Sequence, residues 1–297
     1  MWIWRLPLPA AAGALELHMG TERRSILFEN SVVRSEALYS VESIGTGPDV
    51  LFIPGHGSSK AVWAAVAQAL CSSHRVHLIQ VAGMAGAPPP RAPGEDAVGA
   101  LVRAIGHELL PLLSDNTSVI GHSMGCAVGL AMAQRWPDRV HRLMLVDAFP
   151  FVGIPIAGLH STLTDLQPMR EALAAGGTPA TMAMLAGSAP MWVRSPVAQE
   201  KLLRWAESSD PATLHAYLLS LLAVALRPGL RTLGIPVTLV YGDHAALGAT
   251  GEALAALFEA AYADVPNLRR QCIADSQHFV MEDQPEVFAA SVRHFLR

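Results

Sequence analysis

Gly121-His122-Ser123-Met124-Gly125 stands directly between the apolar run Thr117 to Ile120 and the helix-like run Cys126 to Trp136. A strand that ends at a serine and turns at once into a helix lifts the hydroxyl clear of the sheet edge, where a nucleophile has to sit. So tight a turn leaves almost no room for side chains two residues before and two after the serine, which accounts for Gly121 and Gly125. The pentapeptide by itself is a weak signal in a chain with 24 glycines. It gains weight because it is the chain's only G-x-S-x-G and falls at a strand-to-helix junction.

Working outward, apolar strand candidates fall at Ser31 to Val33, Ala37 to Val41, Val50 to Ile53, Val76 to Val81, Ser118 to Ile120, Leu143 to Val146, Val237 to Tyr241 and Leu268 to Ile273. Between the later ones, Ala61 to Leu70, Glu95 to Leu113, Cys126 to Arg135, Gly251 to Ala263 and Pro285 to Phe295 have the length and apolar spacing of amphipathic helices. Strands alternating with helices predict an α/β fold, a mostly parallel sheet flanked by helices on both faces. The alternation breaks between Phe149 and Arg231, where about half the residues read as helix and no strand is convincing. The chain therefore divides into a first core part over 1–148, a helical insertion over 149–231 that caps the sheet, and a second core part over 232–297. Within the insertion, Met169, Met182, Met184, Met191, Trp192, Leu202 and Trp205 are flexible or aromatic side chains of the kind that line an adaptable apolar pocket. The alternative is that they pack the insertion onto the core.

Composition narrows the function classes. A formal charge of −4 with acidic and basic residues intermixed offers no extended positive field for a phosphate backbone, so nucleic acid is not an expected partner. Apolar residues make up 51% and charged ones only 15%, which favours a small apolar substrate. Cys71, Cys126 and Cys272 are isolated, without C-x-x-C or metal-like spacing, and read as free thiols in a reducing compartment, the cytoplasm. Met1 to Leu15 is apolar, but Arg5 is its sole basic residue and Pro7 and Pro9 interrupt it, which makes a poor signal peptide. No apolar run approaches the ~20 residues of a membrane helix; Leu214 to Leu226 is too short.

Acyl transfer needs a nucleophile, a base, an acid that orients the base, and donors facing the developing oxyanion. Ser123 is the nucleophile. Among twelve histidines, including His122, His215 and His244, His278 is the candidate base, because it follows the last strand and parallel strands bring that loop to the edge where Ser123 sits. The oxyanion donors are the backbone N–H of Met124 and that of His56 in Pro54-Gly55-His56-Gly57, whose flanking glycines let main chain approach a ligand closely. Cys126 reads as a small buried hydrophobe, and Asp283 and Glu286 suit the start of the last helix.

With these landmarks in place the chain resembles the α/β-hydrolase superfamily from about Val50 to the C-terminus. The resemblance rests on Phe52-Ile53-Pro54-Gly55-His56-Gly57-Ser58-Ser59 with Trp63, on the 121–125 elbow, and on Gln277-His278-Phe279 with Asp283-Gln284-Pro285. It implies a serine hydrolase without cofactor, acting on carboxylic esters or related acyl compounds beneath a cap. The acid departs from the family pattern: where G-x-x-D is usual, Tyr241-Gly242-Asp243-His244-Ala245 has alanine at the fourth position. Asp243 is one candidate; Asp147, in a place from which some members draw their acid, is preferred because it sits at the end of the strand Leu143 to Val146 whereas Asp243 depends on loop shape. Two rival functions stay open: the same triad used for C–C hydrolysis or a cyclase or lyase step, and a non-catalytic receptor in which Ala245 marks a decayed acid.

Overall fold

The computed structural model describes residues 37–91, 94–243 and 251–297, all within one compact unit. The strand expected at Ser31 to Val33, and His244 and Ala245, lie outside the described residues. Strands β1 (Tyr39–Ile44), β2 (Asp49–Ile53), β3 (Arg75–Val81), β4 (Thr117–His122), β5 (Val140–Val146), β6 (Val237–Gly242) and β7 (Leu268–Ile273) form one sheet in the order β1-β3-β2-β4-β5-β6-β7. Only β1 runs antiparallel, pairing with β3. Every other neighbouring pair is parallel.

Each central strand is apolar on both faces because helices cover both. Alternate residues part cleanly: Leu51, Ile53, Val119, Leu143, Leu145 and Leu239 enter one core, and Val50, Phe52, Ile120, Met144, Val146 and Val240 the other. The helices are α1 (Ala64–Leu70), α2 (Ala97–Ala104), α3 (Met124–Arg135), α4 (Ile154–Ala157), α5 (Leu163–Ser188), α6 (Pro196–Glu207), α7 (Pro211–Leu221), α8 (Gly251–Ala261), α9 (Val280–Asp283) and α10 (Pro285–Phe295). The single helix expected over Glu95 to Leu113 is instead three pieces: α2, a wide π turn over Ile105–Leu109 and a tight 3-10 turn over Leu110–Leu112. Pro111 supplies a cause, since it has no N–H to continue the ladder.

Between β5 and β6 the described chain is helical, with α4 to α7 and no strand, and α5 breaks at Gly177 (φ 60°, ψ −154°). No described helix is long and apolar enough to cross a membrane. Six of the seven side chains expected to line a pocket are placed elsewhere. Met169 and Met182 pack against one core, Trp192, Leu202 and Trp205 belong to the other, and Met184 is exposed. Amphipathic spacing tells which residues face inward, not which inward contact is a cavity.

At the sheet edge where β2 and β3 begin, Asp49 is buried and fully engaged. Arg75 donates through Nε and Nη2 at 2.5 and 2.8 Å, His77 Nε2 lies at 2.7 Å, and the Ser114 N–H donates at 2.7 Å. Burial alone would raise the Asp49 pKa, but these hydrogen bonds outweigh it and hold the carboxyl well below the usual carboxylate range. A depressed folded-state pKa means the stabilisation is complete above the unfolded value of about 3.9 and drains away as pH falls below it. Asp49→Asn is therefore expected to cost about 3 kcal/mol at pH 7 in urea unfolding. It should also flatten the loss of stability below about pH 4 relative to the parent; an equally steep acid limb in the variant would contradict this account.

Candidate active site

Ser123 and Asp147 follow the last residues of β4 and β5, and both adopt φ 52°, a left-handed backbone that non-glycine residues seldom hold. The ladder carries each one bond beyond its strand: Ser123 N–H donates to Val146 O at 3.0 Å and Asp147 N–H to Val240 O at 2.8 Å. There the chain reverses sharply, and Ser123, with ψ −117°, caps α3. The cause is proximity of main chain to main chain. A Cβ on Gly121 would lie 2.2 Å from Gly125 O, and one on Gly125 2.2 Å from Ile53 O. The loop after β2 sits equally near, since a Cβ on Gly55 would be 3.1 Å from Ser123 Cβ.

The carboxylate joined to His278 is Asp147. Its Oδ2 lies 2.7 Å from His278 Nδ1, its Oδ1 accepts the Gly242 N–H at 3.2 Å, and its side chain is only 2% exposed. With Nδ1 donating to Asp147, the other ring nitrogen, Nε2, is in its acceptor form. Asp243 serves the neighbouring loop instead, accepting the Asp275 N–H at 3.0 Å and facing Arg194 Nη1 at 3.4 Å. The loop bearing His278 is held from three more sides. Asp283 accepts the N–H groups of Gln277 and Arg194, both at 2.8 Å, Phe279 N–H donates to Trp192 O at 2.8 Å, and His122 Nε2 donates to His278 O at 2.9 Å. Asp283 thus ties loops together rather than merely opening the last helix.

Ser123, Met124, Asp147 and His278 line one pocket of about 190 Å³. Ser123 Oγ makes no hydrogen bond among the described residues, and it shares the pocket wall with His278. The Met124 N–H, at the first position of α3, has no partner within the helix. His56 lies in the loop against Ser123, its ring turned away so that Nε2 donates to Leu214 O at 2.8 Å. His56 is not among the residues that line the pocket.

The remaining walls are apolar: Phe149, Phe151, Val152, Leu221, Leu254 and Phe258. Phe149 and Phe258 stack with ring centroids 4.2 Å apart. The sequence reading did not single out these residues. Two signals mark them: Phe149 to Val152 directly follow β5, so they emerge at its carboxyl edge, and Leu254 and Phe258 share one face of α8 at i, i+4 spacing. Cys126 is buried and bridges the two strands that carry Ser123 and Asp147, donating to Gly121 O at 3.0 Å and accepting the Val146 N–H at 3.2 Å. Burial pushes its thiol pKa well above the usual range, so it is no nucleophile.

A profile of the Alpha/beta hydrolase family matches residues 50–291. The chain is 30% identical over 271 residues to the pimeloyl-[acyl-carrier protein] methyl ester esterase of Aeromonas hydrophila, covering 86% of this chain and 98% of that one. It is 29% identical to the protein of the same name from Nitrosomonas europaea, covering 72% and 83% of the two chains. Among solved structures, a thermophilic esterase from Thermogutta terrifontis superposes with a TM-score of 0.70 at 21% identity, over 87% of this chain and 93% of that one.

The elbow's main-chain contacts make a selective prediction. Gly125→Ala meets the rigid Ile53 carbonyl and is expected to destabilise the fold by about 2 kcal/mol or more. Gly129→Ala, four residues along α3, meets the flexible Leu143 Cδ1 at 3.0 Å and should stay within about 1 kcal/mol of the parent. Thermal unfolding of the two variants side by side checks the ranking.

Proposed function

The chain belongs to the alpha/beta hydrolase family, and from that membership we propose that it is a serine carboxylic ester hydrolase working through an acyl-enzyme. The observation that carries this reading is the 2.7 Å bond between Asp147 and His278 on the wall of a pocket that also contains Ser123. Ser123 Oγ attacks the ester carbonyl while His278 Nε2 takes its proton. The tetrahedral oxyanion sits between the N–H groups of His56 and Met124, and collapse expels the alcohol with the proton returned by His278. Water, activated by the same imidazole, then releases the acid. Asp147 fixes the tautomer and stabilises the imidazolium at each turn.

The substrate class follows from the walls. Apart from Asp147 and His278, no ionisable side chain lines the pocket among the described residues, so the group it receives is apolar or aromatic. Residues 149–231 act as the cap, a reading supported by Phe149, Phe151, Val152, Leu221 and Val224 from that stretch, which line the pocket together with Ser123. A reducing compartment, the cytoplasm, suits three unpaired cysteines. The receptor alternative loses its motive once Asp147, rather than position 245, is the carboxylate on the imidazole.

Turnover of p-nitrophenyl esters, with a pimeloyl methyl ester in the same panel, tests the reading. Ser123→Ala should abolish both turnover and fluorophosphonate labelling. Wild-type protein that labels readily yet cleaves no ester would overturn the ester assignment. The two aspartates separate cleanly in kcat: Asp147→Asn should lower it by about 10⁴, the scale seen when a triad acid is neutralised. Asp243→Asn, which only loosens the neighbouring loop, should cost far less, and the opposite ranking in steady-state kinetics would reassign the acid.

A further inference from the structure

Beyond the pocket at Ser123, along the same face of α3, lies a second hollow of about 400 Å³ lined by Val98, Val102, Ala131, Gln134, Arg135 and Leu226. Val224 belongs to the walls of both. Ala127 lines the first and Ala131, one helical turn further along α3, lines the second. We propose that the Val224 side chain is the partition between these spaces and sets the longest acyl chain the enzyme accepts. The proposal rests on the ester hydrolase reading for its substrate.

The partition is held from both sides. Val224 N–H donates to Leu221 O at 3.2 Å and Leu226 N–H to Pro150 O at 3.3 Å. Gln134 Nε2 donates to Leu226 O at 3.0 Å. Arg227 follows, donating to the carbonyls of Leu159 and Ser161 with its guanidinium over the Phe151 ring at 4.8 Å. Because the backbone is tethered through residues on α3 and on the segment after β5, trimming Val224 leaves an opening that the chain does not collapse to fill.

The two hollows differ in what they offer. The first is apolar around the serine, whereas the second has apolar walls near Val224 and a polar mouth formed by Arg103, Asp96, Gln134 and Arg135. An acyl chain passing Val224 would bury further methylenes against Val98, Val102 and Ala131 before reaching that mouth. One turn of α3 spans about 5.4 Å, roughly four methylene groups of extended chain. Each methylene transferred from water to an apolar wall is worth about fourfold in binding.

The test is the chain-length profile of kcat/KM on p-nitrophenyl esters from two to twelve carbons, for wild type, Val224→Gly, Val224→Ala and Val224→Phe. The ratio of long-chain to short-chain kcat/KM should rise at least tenfold in Val224→Gly, with the cut-off moved out by roughly four carbons. It should rise less in Val224→Ala and fall in Val224→Phe. Adding Ala131→Phe to Val224→Gly refills the second hollow and should restore the wild-type ratio. That reversal is one a general loosening of the fold would not give. Rates of labelling by alkyl fluorophosphonates of the same lengths give a readout that needs no ester turnover. Labelling that follows the expected length dependence in a protein without esterase activity would defeat the ester reading and leave the partition standing. Active variants whose length profiles match the wild type would overturn the partition and leave the ester reading intact.

Discussion

Everything at the carboxyl edge of this sheet depends on how closely the first turn of α3 presses on the end of β2. Gly125 lies against the Ile53 carbonyl so tightly that a methyl group has no place there, and Gly121 lies against Gly125 in the same way. That stack of main chain brings three consecutive sheet strands, β2, β4 and β5, to one level. It lifts Ser123 above the sheet and sets the loop after β2 beside it. A helix starting one residue later would send the hydroxyl along the sheet and not into the pocket. The left-handed φ at Ser123 is the local cost of that geometry, tolerated because the surrounding backbone leaves no other path.

The second strained residue, Asp147, solves a related problem. Its carboxylate has to be buried to hold one imidazole tautomer, yet a buried charge without partners is costly. The reversal at φ 52° turns its side chain toward the Gly242 N–H and His278 Nδ1, which together engage both oxygens. Its position beside β6, one strand short of the usual family location, leaves Asp243 free. That residue and Asp283 then brace the loop that carries His278.

The fold was legible because the central strands are covered on both faces and so read as continuous apolar runs. Val50 to Ile53 and Leu143 to Val146 are unambiguous for that reason. Ser123, His278 and Asp147 were expected together because chemistry restricts residue type and parallel topology restricts place, and the three line one pocket, Ser123 and Asp147 directly after β4 and β5 and His278 in the loop after β7. The pocket walls were harder. Phe149 and Phe258 look like any other core aromatics, and their role appears only when β5 and α8 are set side by side. The insertion misled for the same reason. Methionine and tryptophan at helical spacing mark an inward face, but that face of α5 and α6 meets the two cores and not the cavity. The break of the helix after Ala104 was foreshadowed only by Pro111, and such a signal places a discontinuity without giving its shape.

His122 shows how much of the site is support. It is fully buried, with the Phe279 and His278 rings 4.5 and 4.6 Å away. Burial first, and the neighbouring His278 second, bring its pKa down to about 3, so it is neutral wherever the enzyme would work. A neutral imidazole that donates through Nε2 must leave Nδ1 bare, and that nitrogen has no hydrogen-bond partner among the described residues. Leaving a buried acceptor unpaired is unfavourable by itself. It is outweighed because the ring keeps a second positive charge away from His278 while its one proton fixes the His278 main chain, and with it the reach of the imidazole toward Ser123. A phenylalanine in this place could fill the volume but would release the carbonyl. A lysine could hold the carbonyl but would bring a charge that opposes formation of the imidazolium. Of the residues that stack against Phe279 and donate one hydrogen bond without carrying charge, histidine meets both demands at once.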